Sequence, residues 1–134
     1  MEDFKLELKL RIDWSDLDMY RHVNNLSFMR FMQSGRVNLW EATGLHKMYA
    51  EENKGAMLVS THCDFKKALH YPGSAIIKTR IAEIGNKSFK IEHHIFGDDN
   101  QLCAIGKDVS VFYNFSENKT LPIPEDLREI LNRY

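Results

Sequence analysis

The chain has 134 residues, which argues for one domain of about that length, residues 1–134, with room for a real core. Its 18 Lys and Arg against 19 Asp and Glu leave a net charge of -1, so neither the broad basic field of a nucleic-acid binder nor attraction to a membrane surface is expected. Apolar residues at 43% and charged residues at 28% are ordinary for a folded globular protein and argue against native disorder.

Two cysteines, Cys63 and Cys103, are too few for a disulfide scaffold. The opening run MEDFKLELKL alternates charge with hydrophobe, unlike a signal-peptide core, and no apolar run approaches the length of a membrane span. A reducing, cytoplasmic setting is the expectation.

The first element is a strand. Phe4, Leu6, Leu8, Leu10 and Ile12 alternate with Lys5, Glu7, Lys9, Arg11 and Asp13, a period of 2 that buries one face. Trp14 to Asp18 is a cluster of turn and capping residues. From about His22 to Thr43 the spacing turns helical, with Phe28, Met32, Gly35, Leu39 and Ala42 three or four apart and Phe31 and Trp40 widening the stripe. Asn24 or Asn25 can cap the start, and Gly44 sits where a helix C-terminus wants a left-handed residue. Gly35 on the apolar stripe points to a close approach. Leu45 to Asn53 reads as a shorter helix or a loop. Strands are then expected over Ala56–Lys67, Ser74–Ile84, Ser88–Phe96 and Leu102–Phe115, followed by a short helix over Glu125–Asn132 with Pro124 near its first turn. The turns favour antiparallel pairing. One long helix covered by one sheet gives an α+β two-layer domain, five antiparallel strands wrapped around a central helix.

The densest chemistry is Asp16-Leu17-Asp18-Met19-Tyr20-Arg21-His22-Val23-Asn24-Asn25, at the junction of strand and helix. A carboxylate is stabilised near a helix N-terminus, and the unpaired amides there can bind a developing oxyanion. Between Asp18 and Glu41 there is no acid, while Arg21, Arg30 and Arg36 are all present. Spacing alone also fits plain turn and cap hydrogen bonds for Asp16 and Asp18.

The pattern D-x-D-x-x-x-H-V-N-N, followed by a long helix and four strands, resembles the hotdog-fold acyl thioesterases. It is most similar to the 4-hydroxybenzoyl-CoA thioesterase family, and the run is also similar to the motif of plant-type acyl-ACP thioesterases. The resemblance implies that Asp18 is the catalytic carboxylate, that the Asn25 amide polarises the thioester carbonyl, and that His22 and Asn24 serve catalysis or substrate positioning. The acyl-ACP relatives carry Asn where this chain has Tyr20, a departure from any Asp-Asn-His mechanism. A further subtype places its carboxylate inside the helix, where Gln33 and Ser34 stand here. Glu83 to Phe89 is a second match, at a turn where family members contact coenzyme A. Lys87 and Ser88 offer a cation and a hydroxyl donor to phosphate, and an ordinary polar hairpin fits equally.

The resemblance implies an acyl-CoA thioesterase with no cofactor besides the coenzyme A of its substrate. It also implies a homodimer or homotetramer whose site lies between subunits, Asp18 on one side and Lys87 and Ser88 on the other. The rival classes are an acyl-ACP thioesterase, a non-catalytic acyl-CoA binding module and a hotdog hydratase. No metal site is expected, because His93 and His94 point to opposite faces of a strand and no CxxC or HxxxH pair exists. Cys63, in phase with Val59, Thr61 and Phe65, reads as a core thiol.

Overall fold

The computed structural model describes residues 4–134; Met1 to Asp3, the start of the expected domain, lie outside the described residues. Strand β1 (Leu6–Arg11) leads through a single 3₁₀ turn, Trp14–Asp16, to helix α1 (Asn25–Thr43) and helix α2 (Leu45–Glu52). Strands β2 (Lys54–Phe65), β3 (Ser74–Ile84), β4 (Ser88–Phe96) and β5 (Leu102–Asn114) follow, then β6 (Lys119–Thr120) and helix α3 (Glu125–Leu131). The sheet is antiparallel in the order β1-β3-β4-β5-β2, with β6 attached to β5. This is the curled sheet around a central helix that defines the hotdog fold.

The element edges differ from the sequence reading for identifiable reasons. β1 is shorter than Phe4–Ile12 because its partner β3 begins at Ser74, opposite Arg11. α1 starts at Asn25 rather than His22 because Val23 is drawn into a β-bridge with Leu17. Asn24 is the cap, its Oδ1 accepting from the Ser27 amide at 3.0 Å. Gly44, at φ 82°, ends α1 and begins α2. β6 has no signal in its two polar residues. It covers Tyr113 and Asn114 of β5, beyond the point where β4 ends opposite Val111, and so pairs backbone that would otherwise lack a partner on that side.

α1 buries Phe31, Met32 and Leu39 completely. Its first half joins Ile12, Val23, Leu69, Ile77 and Ile95 in one apolar cluster. Its second half, with α2 and α3, closes another around Phe89, Ile91, Phe112, Leu127 and Leu131. A polar layer separates the two. There Asp108 accepts from His93 Nε2 at 2.7 Å, Arg36 Nη1 at 2.9 Å and Thr61 Oγ1 at 2.7 Å. His93 Nδ1 in turn lies 2.9 Å from Thr79 Oγ1.

Candidate active site

Between Asp13 and Asn24 the chain folds on itself twice. Asp16 anchors the first fold. Its Oδ2 accepts from the Asp13 amide at 2.8 Å, and its Oδ1 accepts from Ser27 Oγ at 2.8 Å and Arg30 Nη2 at 3.0 Å. The Asn24 amide donates to the Asp16 carbonyl at 2.9 Å, which docks the loop on the helix start. Burial pushes the Asp16 pKa up, but the bonds from Asp13, Ser27 and Arg30 outweigh it and hold the carboxyl below its ordinary range.

Asp18 closes the second fold. Its amide donates to the His22 carbonyl at 3.0 Å and its carbonyl accepts from the Arg21 amide at 3.0 Å. Arg21 takes a left-handed φ of 64° to make that turn. The Asp18 carboxylate is exposed, and its Oδ1 accepts from the amides of Tyr20 at 2.9 Å and His22 at 3.4 Å. Both of these bonds go to one oxygen, so the carboxylate is oriented without engaging Oδ2 in them. The His22 ring stacks edge-on against His70 at 5.0 Å between centroids. It is therefore the His22 backbone that orients Asp18 here, while the imidazole packs on a second histidine.

Asp18, His22, Asn24 and Asn25 line one open cleft of about 420 Å³, together with Phe28 on its floor. Asn25 is the first residue of α1, and an amide at that position has no acceptor within the helix. The Ser27 amide is occupied by the Asn24 cap. The opposite wall is Phe65 to Ala68, the exit of β2. Phe65 meets Phe28 edge-on at 5.2 Å. A carboxylate, a helix start and an apolar floor thus share one space suited to acyl transfer.

Lys87 and Ser88 are elsewhere in the same chain. Ser88 pairs with Val111, whereas the exit of β2 pairs with Ala104. Seven steps along β5 separate these levels, about 24 Å at the usual strand rise. Sequence reading did not mark His70 or Phe65 as site residues, and Lys66 and Lys67 had only their charge to recommend them. All four depend on how the β2–β3 crossover lies against Val23, whose amide donates to the Leu69 carbonyl at 3.0 Å. The polar layer around Asp108 was also invisible, because its members are far apart in sequence.

Cys63 is half-buried beside the core, not in the cleft, and burial with nearby Asp64 and Asp108 pushes its thiol up to about 11. Among the described residues no group of three His, Cys, Asp or Glu side chains could hold a metal ion, and no helix is long and apolar enough to cross a membrane.

A family model for the thioesterase-like superfamily matches residues 12–131. No curated protein matches the chain. Among solved structures, the PA5185 protein of Pseudomonas aeruginosa superposes with a TM-score of 0.82 at 28% identity, covering 97% of this chain and 91% of that one. A Thermus thermophilus thioesterase, complexed with coenzyme A and zinc, gives 0.86 at 21% identity over 99% and 96%. The BH1999 gentisyl-coenzyme A thioesterase gives 0.82 at 24% identity over 94% and 99%. With the family model spanning nearly every element from the Asp16 loop to α3, the chain belongs to the thioesterase-like superfamily and is a thioester hydrolase built on the hotdog fold.

Proposed function

We propose that the chain hydrolyses an acyl-coenzyme A to the free acid and coenzyme A, in the manner of the 4-hydroxybenzoyl-CoA thioesterase family. One observation carries this: the Asp18 carboxylate and the start of α1 border the same cleft. The thioester carbonyl oxygen sits at the Asn25 amide, where the helix dipole favours the developing negative charge. As general base, Asp18 takes a proton from water while the water oxygen bonds to the carbonyl carbon. Collapse of the tetrahedral adduct breaks the C–S bond, and the leaving thiolate recovers the proton from Asp18. Direct attack by Asp18, giving a mixed anhydride that water then opens, is the other balanced route. Asn24 holds the helix start and His22 orients Asp18.

The working unit is a homodimer, or a homotetramer made of such dimers. β2 is an edge strand with Leu58, Val59 and Phe65 exposed along it. Such an edge invites pairing with another chain. Antiparallel pairing of β2 with its own copy exchanges ends. The β3–β4 turn of one subunit then comes to the Asp18 end of the other, which brings Lys87 and Ser88 to the coenzyme. Relatives of the same fold have been crystallised with coenzyme A, in keeping with that carrier. Cys63 and Cys103 are both unbridged, in keeping with a reducing cytoplasm.

A thiol-release screen over short, long and aromatic acyl-CoAs, with Asp18→Asn and Asp18→Ala alongside, tests the proposal. Both variants are expected to lower kcat at least ~100-fold. Undiminished activity in both removes Asp18 from the mechanism. Binding of acyl-CoA without release of thiol would make the protein a binding module.

A further inference from the structure

The Asp18 cleft is open to solvent on one side and closed by an aromatic floor on the other. Phe28 follows Asn25 by three residues, so the two share a face of α1, with Phe28 about 5 Å further along the axis. Asp18, His22 and Asn25 are exposed, whereas Phe28 is buried. The Phe28 ring is held from both sides. It meets Phe65 edge-on at 5.2 Å and Phe31 edge-on at 5.9 Å. Phe31 is fully buried, and the Arg30 guanidinium that binds Asp16 lies 5.0 Å over its ring. Phe65 sits where β2 ends in a bulge: the amides of Lys66 and Lys67 both donate to the Cys103 carbonyl, at 2.7 and 3.1 Å. One turn beyond Phe28, Met32 is fully buried and lies against the sheet, where a Cβ on Gly106 would come within 2.5 Å of its Cε. The sheet presents small residues here, Ala104 and Gly106, so the side chains of α1 fill the gap between the layers.

Resting on the assignment of this cleft as the thioester site, we propose that Phe28 is the stop that sets acyl length, so that the enzyme takes a short acyl group and turns away a long one. With the carbonyl oxygen at the Asn25 amide, the polar carrier stays on the exposed side and the acyl group points to the apolar floor. The single helical turn between amide and floor leaves room for only a few carbons. A longer chain has to displace Phe28, and the rings packed on either side leave it little space to enter. Truncating Phe28 extends the cleft toward Ala104, because the two belong to one apolar cluster. An apolar cavity of that kind stays dry and accepts an apolar guest.

The test measures kcat/KM of the full chain for butanoyl-, octanoyl- and dodecanoyl-CoA, each below its micelle concentration, beside Phe28→Ala and Phe28→Leu. The unmodified chain is expected to favour butanoyl- over dodecanoyl-CoA at least about tenfold, the scale on which an apolar pocket discriminates by methylene count. In Phe28→Ala that preference is expected to fall at least about tenfold, through gain on the longer substrates. Phe28→Leu keeps most of the buried volume and shifts the preference the same way to a smaller extent. It decides the matter if circular dichroism shows the alanine variant unfolded. A preference for dodecanoyl-CoA in the unmodified chain, or a short-chain preference that neither variant alters, overturns the proposal. If the unmodified chain hydrolyses none of the three, the thioesterase assignment fails on its own. Calorimetry with the S-butyl and S-dodecyl thioethers of coenzyme A then reads the stop separately. A ratio of affinities that moves toward the dodecyl compound in the variants supports the stop, and an unchanged ratio refutes it.

Discussion

Asp16 and Asp18 are two residues apart and have opposite duties. Asp16 is buried and accepts from an amide, a hydroxyl and a guanidinium, so it holds the loop to α1. Asp18 is exposed and is held only by amides of its own turn. Substituting Asp16→Asn removes the charge that Arg30 answers, and Arg30 is itself 45% exposed and regains water. A loss of about 1–3 kcal/mol is expected, below the cost of breaking a fully buried pair. Asp18→Asn is expected to stay within about 0.5 kcal/mol of the unmodified chain. Urea unfolding of the two variants checks both, and equal losses would remove the division of labour.

At the scale of elements, α1 lies on the sheet through its small residue. A Cβ on Gly35 would come within 2.8 Å of Thr79 Oγ1 and 2.9 Å of His93 Nδ1. Those atoms bond each other and are buried, so they have little room to yield. Gly35→Ala gains roughly 1 kcal/mol in helix propensity but overpacks the polar layer, with a net loss of about 1–2 kcal/mol expected. A rise in Tm would show the contact to be slack. The layer also sets the acid limit of the fold. Burial pushes Asp108 up, yet its bonds to His93, Thr61 and Arg36, with the charge of His93, bring its pKa below the ordinary value. A depressed folded pKa stabilises the fold fully above the unfolded pKa, about 4, and that stability is lost as pH falls through the folded pKa. Asp16 acts with the same sign. The urea midpoint should therefore fall as pH drops below roughly 5, through the unfolded carboxylate pKa and on to the lower folded one, and Asp108→Asn should flatten that slope while lowering the plateau.

At the scale of the molecule, the Asp18 cleft borders the end of β5 where Phe65 pairs with Ala104, while Ser88 pairs with Val111, and on the proposed reading a second chain unites Asp18 with Lys87. Val59 is 55% exposed on the β2 edge, where a charge opposes strand addition. Val59→Lys is expected to give a folded monomer by light scattering and circular dichroism, with thioesterase activity reduced at least ~10-fold. An active monomer would place the whole site within one chain.

Much of this was written into the order of residues. The unbroken alternation in β1, the 3–4 spacing from Phe28 to Leu39, and Gly44 at the helix end are local signals, and each maps to an observed element. The Asp16–Asn25 run was legible as a candidate site because its chemistry is contiguous, and the structure brings Asp18, His22, Asn24 and Asn25 to one cleft. What lay beyond reading was nonlocal. The bulge at Lys66 and Lys67 exists because Cys103 presents its carbonyl there. The stacking of His22 on His70, and the charge network from Arg36 to Asp108, join residues with no common period. Sequence determined which segments are helix or strand and where a carboxylate meets a helix start, since both follow from neighbours along the chain. Tertiary structure decided what faces that carboxylate, because the opposite wall comes from a crossover placed by strand pairing across the sheet.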